Sequence, residues 1–161
     1  IYYEFTFYDA DNIFISSRKG TAYVPANGRF GIFEPAVSTG KRIPKNTTFK
    51  FASTPEWLKV TEDESKQIIF AEAGVPSNLE IAPRLSVVVE NPTLSQVRNI
   101  DVFAIIYDAD DNALAVSKTV VDGLIANSKK NLTFTWREPF AGDPKRVEII
   151  SQINVFANRQ E

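Results

Sequence analysis

The 161-residue chain contains no cysteine and no histidine. Without cysteine it can form no disulfide framework, thiolate nucleophile or zinc ribbon. Without histidine it lacks the commonest general base and metal ligand, which excludes Ser-His-Asp and Cys-His catalysis and histidine-based metal sites. An enzyme built from this sequence would have to rely on carboxylates or lysine.

Charge of one sign and long apolar runs are also scarce. The chain has 18 basic and 20 acidic residues and a net charge of −2, so there is no electrostatic reason to expect nucleic acid or an anionic membrane surface as partner. No run approaches the roughly 20 apolar residues of a membrane span, and the start does not resemble a signal peptide. The chain lacks methionine and begins at Ile1, which we interpret as a processed or excised piece of a longer protein.

Alternation of apolar and polar residues with period two dominates the sequence. It is clearest in "YYEFTFYD" from Tyr2, "TTFKF" from Thr47 and "LTFTW" from Leu132, and it is typical of half-buried strands. Clusters rich in Pro, Gly and Asn, such as "VPANGRFG", separate these runs and indicate turns. Two short stretches, "TPEWLKV" and "TEDESKQ", could each begin a helical turn. The sequence therefore predicts an all-β fold.

An internal repeat is indicated by "FYDADN" and "IYDADDN", followed by "KNTTFKF" and "KNLTFTW". A looser third match joins "TPEWLKV" to "DPKRVEI". Tyr8 and Tyr107 are 99 positions apart, whereas Lys45 and Lys130 are 85 apart, which predicts that the first copy carries 14 extra residues. These extra residues fall near 22–44 and are predicted to form a short strand or an ordered loop.

The two copies are predicted to be domains, residues 1–75 and 76–161. The second copy is preceded by an opening strand with Leu85, Val87 and Val89 on one face, and the first copy has no such strand. The first domain should then have a sheet edge that is exposed or paired with a segment outside this sequence. The chain could have been cut there, or a neighbouring chain could donate the strand by β-augmentation.

The motif residues resemble a known family. "FTFYD" (Phe5–Asp9) is similar to the F-x-L-Y-D signature of the bacterial FxLYD domain, and "AIIYD" (Ala104–Asp108) matches its end. "VVVENPTLSQVRNIDV" resembles that family's opening strand and crossover, and "DPKRVEIISQINVF" resembles its closing strand. The resemblance implies two tandem immunoglobulin-like antiparallel β-sandwiches in an uncharacterised, membrane-anchored bacterial protein, outside the cytoplasm, and it supplies no catalytic residues.

The repeated acidic motif has two interpretations. Asp108, Asp110 and Asn112 have the spacing with which a calcium loop begins. However, Ala113 stands where such a loop needs glycine, and Thr119 stands where it needs the bidentate glutamate. The favoured interpretation is a hairpin corner, in which Asp and Asn side chains accept hydrogen bonds from nearby backbone amides. We assign no catalytic, cofactor-binding or metal-ligating residue.

Aromatic residues raise the alternative of a carbohydrate- or ligand-binding β-sandwich, because flat rings can stack on sugars. The rings not required by an inward face are Tyr2, Tyr8, Tyr23, Trp57 and Tyr107. Two glycosylation patterns, at Asn46 and Asn131, occupy matching places in the copies, just before a strand, and are interpreted as turn chemistry.

A surface is indicated at Phe103 and Ile105, which align with the polar Glu4 and Thr6 of the first copy. Either the apolar linker "KQIIFAEAGVPSN", which should pack, or the other domain, or a protein partner could cover them. The sequence therefore predicts a non-enzymatic spacer or protein-interaction module without cofactors.

Overall fold

The computed structural model describes residues 1–25, 28–65 and 67–158. The chain is all-β, as predicted, with a short helix α1 (Glu62–Ser65) and a 3₁₀ turn at Val155–Asn158. Its strands are, in chain order, β1 (Tyr2–Tyr8), β2 (Phe14–Thr21), β3 (Asn46–Phe51), β4 (Phe70–Ala73), β5 (Arg84–Asn91), β6 (Val97–Tyr107), β7 (Ala113–Leu124), β8 (Ser128–Thr135) and β9 (Arg146–Ile153). They form three antiparallel sheets, with the strand orders β2-β1-β3, β4-β5-β8 and β7-β6-β9.

Contacts divide the chain into two units. The first comprises Ile1–Gly28 and Ile32–Lys59, and the second comprises Arg29–Gly31 and Val60–Glu161. The sequence placed the division after residue 75. The linker packs, as predicted, but it does so as strand β4, which pairs with β5 inside the second unit.

The first unit contains the sheet β2-β1-β3. Along β1, Tyr3, Phe5 and Phe7 point to one face, and Glu4 points to the other. On that opposite face the Glu4 carboxylate bridges the two neighbouring strands, 3.7 Å from Lys19 Nζ on β2 and 2.9 Å from Lys50 Nζ on β3. The sheet thus has one polar, ion-paired face and one aromatic face.

In the second unit the sheets β4-β5-β8 and β7-β6-β9 enclose a core. Alternation on β5 places Leu85, Val87 and Val89 inward, as the sequence predicts, and each is at most 1% exposed. They pack with apolar side chains of β6, β7 and β8, among them Ile100, Val102, Ala104, Ile106, Val121, Leu132 and Phe134. Burial of this apolar cluster is the main stabilising contribution in the second unit.

Asn91, at the end of β5, is a fully buried polar residue of this core. Its side-chain Nδ2 donates to the carbonyl oxygens of Ser95 (2.8 Å), Leu124 (3.0 Å) and Ile125 (3.1 Å). Its Oδ1 accepts hydrogen bonds from the backbone N–H and the hydroxyl of Thr93. One amide therefore satisfies the backbone where the chain leaves β5 and where it leaves β7.

The sheets β2-β1-β3 and β7-β6-β9 have the same strand order and nearly the same register. In each, the hairpin pairing shifts by one residue at the tyrosine, Tyr8 or Tyr107. In each, the carbonyl oxygen of that tyrosine accepts a 2.8 Å hydrogen bond from the backbone N–H of the lysine before the third strand, Lys45 or Lys145. The repeat is real, and β3 corresponds to β9.

This correspondence corrects the alignment made from the sequence. "KNLTFTW" from Lys130 lies in β8, which pairs with β5 in the other sheet, so it is not the counterpart of "KNTTFKF". The matching landmarks are Pro44-Lys45 and Pro144-Lys145, which are 100 positions apart. On this alignment residues 22–44 correspond to the segment that contains β8, so they are not an insertion. Their described part contains no strand.

Two smaller expectations can also be compared with the structure. The glycosylation-pattern residues are not equivalent, because Asn46 begins β3 whereas Asn131 lies inside β8. Helix α1 forms in "TEDESKQ" with a capping box: Thr61 Oγ1 accepts from Glu64 N–H at 3.2 Å, and Glu64 Oε2 accepts from Thr61 N–H at 2.7 Å. Residues 54–60 form no helix. Within the described chain, no helix has the length and apolar character needed to span a bilayer.

Candidate functional site

The first YDAD motif forms the corner between β1 and β2. Asp9 Oδ1 accepts hydrogen bonds from the backbone N–H groups of Asp11 (3.0 Å) and Ile13 (2.9 Å). Asn12 adopts a left-handed conformation with φ of 58°, which asparagine tolerates better than most residues. The carboxylate of the motif therefore organises the turn.

The second motif forms the corner between β6 and β7 with the same bonds. Asp108 Oδ1 accepts from the backbone N–H groups of Asp110 and Asn112, both at 2.9 Å, and Oδ2 accepts from Asn112 Nδ2 at 3.1 Å. Asp111 takes the left-handed position with φ of 61°. The hairpin corner predicted from the sequence is present in both units.

Both corner carboxylates have a lowered pKa. For Asp9 the main cause is the hydrogen bond from the Ile13 backbone, with help from Arg42, and for Asp108 it is the hydrogen bond from the Asn112 side chain. Hydrogen bonds to the ionised form favour that form. Over the described residues, no group of three or more acidic side chains is arranged to hold a metal ion.

An arginine holds each corner in place. Arg42 contacts the Asp9 carboxylate and donates to the Phe14 carbonyl oxygen at 2.9 Å. Arg146 donates from Nε (3.0 Å) and Nη2 (2.8 Å) to Asp111 Oδ1, and its guanidinium lies 3.8 Å from the centre of the Tyr107 ring. Both arginines are engaged in ion pairs that fix turn geometry.

A tyrosine–glutamate–arginine cluster lies in the first unit. The Tyr3 hydroxyl donates to Glu34 Oε1, and Arg18 Nε donates to Glu34 Oε2 at 2.6 Å. Burial, reinforced by the Glu34 carboxylate, raises the pKa of Tyr3 to about 12. The hydrogen bond from Tyr3, together with Arg18, lowers the pKa of Glu34. At neutral pH the phenol is protonated and the carboxylate is ionised, so the cluster is an internally neutral ion pair.

A second such cluster lies in the second unit. The Tyr107 hydroxyl donates to Glu148 Oε2 at 2.9 Å, and Arg29 contacts the other carboxylate oxygen. Burial, followed by the hydrogen bond to Glu148, raises the pKa of Tyr107. In both clusters the carboxylate is held by a phenol and a guanidinium, which is an arrangement suited to tying segments together.

The residues Phe103 and Ile105 lie on the side of β6 that faces away from the core, here called the outer face. Phe103 is only 2% exposed, because Gly31 lies directly over its ring: a Cβ at position 31 would be 2.9 Å from the ring carbons. The Gly31 N–H also donates to Gln152 Oε1 at 3.1 Å. The segment Arg29–Gly31 therefore covers Phe103, while Ile105 is half-buried.

The aromatic residues considered for sugar binding differ in exposure and in what lies against them. Tyr2 and Tyr8 lie on the same face of β1, with Tyr2 62% exposed and Tyr8 against the edge of the Phe14 ring. Trp57 is exposed, and the guanidinium of Arg146 lies over the ring of Tyr107. Tyr23 is half-buried in the first unit.

The sequence reasoning did not find the most extensive ring cluster of the first unit. We call it the aromatic face of β2-β1-β3, and its rings are Tyr3, Phe5, Phe7, Phe49 and Phe51. Ring centres are 5.0 Å apart for Phe5 and Phe49 and 5.1 Å apart for Phe49 and Phe51. The alternation in "YYEFTFYD" and "TTFKF" signals this face, but alternation alone predicts half-buried strands and does not show that the rings remain partly exposed.

Comparison with known proteins gives no relative for this chain: no family model, curated protein or solved structure matches it.

Proposed function

We propose that the chain is a non-enzymatic pair of repeats from a bacterial cell-surface protein, in which the second repeat is an immunoglobulin-like β-sandwich and the first repeat has only one sheet of that sandwich, β2-β1-β3, in the described residues. It acts outside the cytoplasm as a spacer or protein-interaction module. The proposal rests on the structural role of the motif residues. In both units the aspartate that follows the tyrosine accepts the same two backbone amides, so the most motif-like chemistry of the chain is used to build the same sheet twice.

The strand order of the second unit supports an immunoglobulin-like assignment. In order along the chain, its first, second and fifth strands form one sheet, and its third, fourth and sixth strands form the other. This is the exchange of strands between sheets that Greek-key sandwiches use. The resemblance of "FTFYD" and "AIIYD" to the FxLYD signature supports the surface location and a membrane anchor elsewhere in the parent protein.

The proposal is tested by thermal unfolding of the whole chain with calcium and with a chelator. A ligand that binds only the folded state must raise the Tm. A spacer should unfold at the same temperature in both conditions. A calcium-dependent rise that Asp108→Asn abolishes would instead assign the corner to calcium binding.

The second candidate is a carbohydrate-binding module, favoured by Tyr2 and Tyr8 on one face of β1 and by the exposed Trp57. A glycan array separates the two functions. Hits that disappear in Tyr2→Ala and persist in the matched control Tyr107→Ala would replace the spacer proposal with a glycan-binding function. An array without hits would remove this candidate.

A further inference from the structure

The outer face of β6 is apolar where the equivalent face of β1 is polar. Phe103 and Ile105 on β6 occupy the positions that Glu4 and Thr6 occupy on β1. Glu4 there forms ion pairs with lysines of both neighbouring strands. The first sheet thus shows that this backbone arrangement does not require apolar side chains on this face. Sheet formation alone therefore does not explain Phe103 and Ile105.

Polar side chains surround the Phe103 ring on the outer face. The strand register places Lys118 of β7 and Ile150 of β9 directly beside Phe103, and Lys118 Nζ lies 5.4 Å from the ring centre. Glu148 and Gln152 lie on either side of Ile150 along β9 and share its face. Gln152 is buried, and the Glu148 side chain is only 13% exposed. The face therefore presents an aromatic ring beside a carboxylate and an amide oxygen, which can accept hydrogen bonds from a cation and from a backbone N–H.

A segment of the same chain, Arg29–Gly31, lies on these side chains, and we call it the strap. Its arginine donates from Nη1 to Glu148 Oε1, and the N–H of its glycine donates to Gln152 Oε1 at 3.1 Å. The glycine lies over the Phe103 ring, where a Cβ would be 2.9 Å from the ring carbons. The guanidinium, the backbone N–H and the missing side chain of the strap are thus each matched by a different residue of the outer face.

The strap is held by contacts that another segment of the same chemistry could replace. The described residues between Thr21 and Asn46 form no strand, so the strap is not part of a sheet. The side chain of Arg29 is 80% exposed, and an ion pair with so exposed a partner contributes little to stability. Long surface segments without secondary structure are often binding loops or lids. The strap is therefore suited to leave the outer face when a competing segment is present.

We propose that the outer face around Phe103 is a recognition site for an extended protein segment with an arginine two positions before a glycine, and that the strap closes this site within the chain. Glu148 binds the arginine, Gln152 accepts from the glycine N–H, and the ring leaves no room for a side chain at the glycine position. Val116 and Val120 on β7 lie on the same face, are exposed, and extend the apolar surface beside the site. This inference rests on the interaction role proposed above and names the class of partner.

NMR titration of the isotope-labelled whole chain with the capped peptide GRFGI, the sequence of residues 28–32, tests the proposal. Gly31→Val should open the site, because its side chain meets the Phe103 ring, and it leaves every residue of the site itself unchanged. This variant should bind the peptide at least about 10-fold more tightly than the wild type, whose strap competes for the site. Equal affinity of the two chains, or no binding by a folded Gly31→Val chain, would overturn the proposal.

Altered peptides test which groups are recognised. In the Gly31→Val chain, GRFVI, with valine in place of glycine, should lose binding, because its side chain meets the same ring. GAFGI, without the arginine, should bind about 5-fold more weakly than GRFGI. Glu148→Gln in the same chain should weaken binding of GRFGI by a similar factor and leave binding of GAFGI unchanged, as for two groups that act as a pair. Equal binding of GRFGI and GRFVI would contradict the site.

A second variant opens the site without adding bulk, so the test does not depend on the folding of Gly31→Val. Arg29→Ala removes the ion pair of the strap and should raise the affinity for GRFGI about 5-fold over the wild type. Lys41→Ala removes the same charge from the same connection between strands and should leave the affinity unchanged. The shifted signals should lie on β6 and β9, and shifts confined to other strands would disprove the site. Because the readout is peptide binding alone, its failure would leave the spacer role standing.

Discussion

The sheets β2-β1-β3 and β7-β6-β9 have the same backbone arrangement but carry different side chains on one face. They share strand order, the register shift at the tyrosine, the corner bonds and the lysine amide that opens the third strand. The face that is aromatic in the first sheet is aliphatic in the second, where another sheet covers it. The corner and the pairing are therefore set locally, whereas the side chains of that face depend on what lies against it.

The largest expected effect is a loss of stability in the second unit alone. Asn91→Ala leaves the carbonyl oxygens of Ser95, Leu124 and Ile125 without their shared donor, and we expect a loss of about 4–5 kcal/mol in the free energy of unfolding. Urea unfolding followed by Trp136 fluorescence in a Trp57→Phe background reports on the second unit. The exposed Asn131 supplies the control, since Asn131→Ala should change stability by no more than about 0.5 kcal/mol. An equal loss in both variants would contradict the role assigned to Asn91.

The comparison between the two sheets can be measured directly at Ile106 and Phe7, which occupy equivalent positions. Ile106→Ala should cost about 3–4 kcal/mol, because it opens a cavity in a closed core. Phe7→Ala should cost about 1 kcal/mol, because water can fill the space left by a partly exposed ring. Urea denaturation of both variants checks this. Equal costs would show that the first sheet is as well covered as the second.

A smaller effect concerns the corner carboxylates. Asp9 and Asp108 have folded-state pKa values below their usual range, so their contribution is present above the unfolded value of about 3.9 and is lost as pH falls through the folded pKa. We expect carboxyl NMR titrations to give both residues similar lowered pKa values. In Asp108→Asn, the decline in stability under acid should be shallower than in the wild type. Ordinary pKa values at both corners would contradict the shared geometry.

The smallest effect appears in alkaline solution. The folded-state pKa of Tyr3 is raised to about 12, so its stabilising contribution is intact below the unfolded value of about 10 and is lost as pH rises through the folded pKa. Absorbance of the tyrosinate should show that Tyr3→Phe removes one of the late-titrating groups, since the pKa of Tyr107 is raised as well. Glu34→Gln should lower that pKa towards 10 by removing the carboxylate. A titration unchanged by either substitution would disprove the cluster.

The sequence predicted local features well. Alternation identified β1, β3, β5 and β8, and the Asp and Asn residues identified both corners, because period and turn chemistry are written in neighbouring residues. The strand alignment failed for a physical reason. Lys45 and Lys145 have the same backbone role, but the strands after them carry different side chains according to their cover. A chance likeness with β8 was therefore stronger than the true match.

Non-local contacts account for the rest of what was missed. The linker was predicted to pack, but nothing in "IIFAEA" shows that it pairs with β5. Likewise, the cover over Phe103 comes from Arg29–Gly31, more than seventy positions earlier in the chain. Such pairings depend on the whole fold and leave no periodic signal in one sequence.

Gly31 has a consequence for how this sequence can vary. A substituent there would press on the Phe103 ring at 2.9 Å, so the constraint on position 31 is the space above that ring. The two positions should therefore change together in evolution. A homologous chain with alanine or serine at position 31 should carry a smaller side chain at position 103, and one that keeps the phenylalanine should keep the glycine.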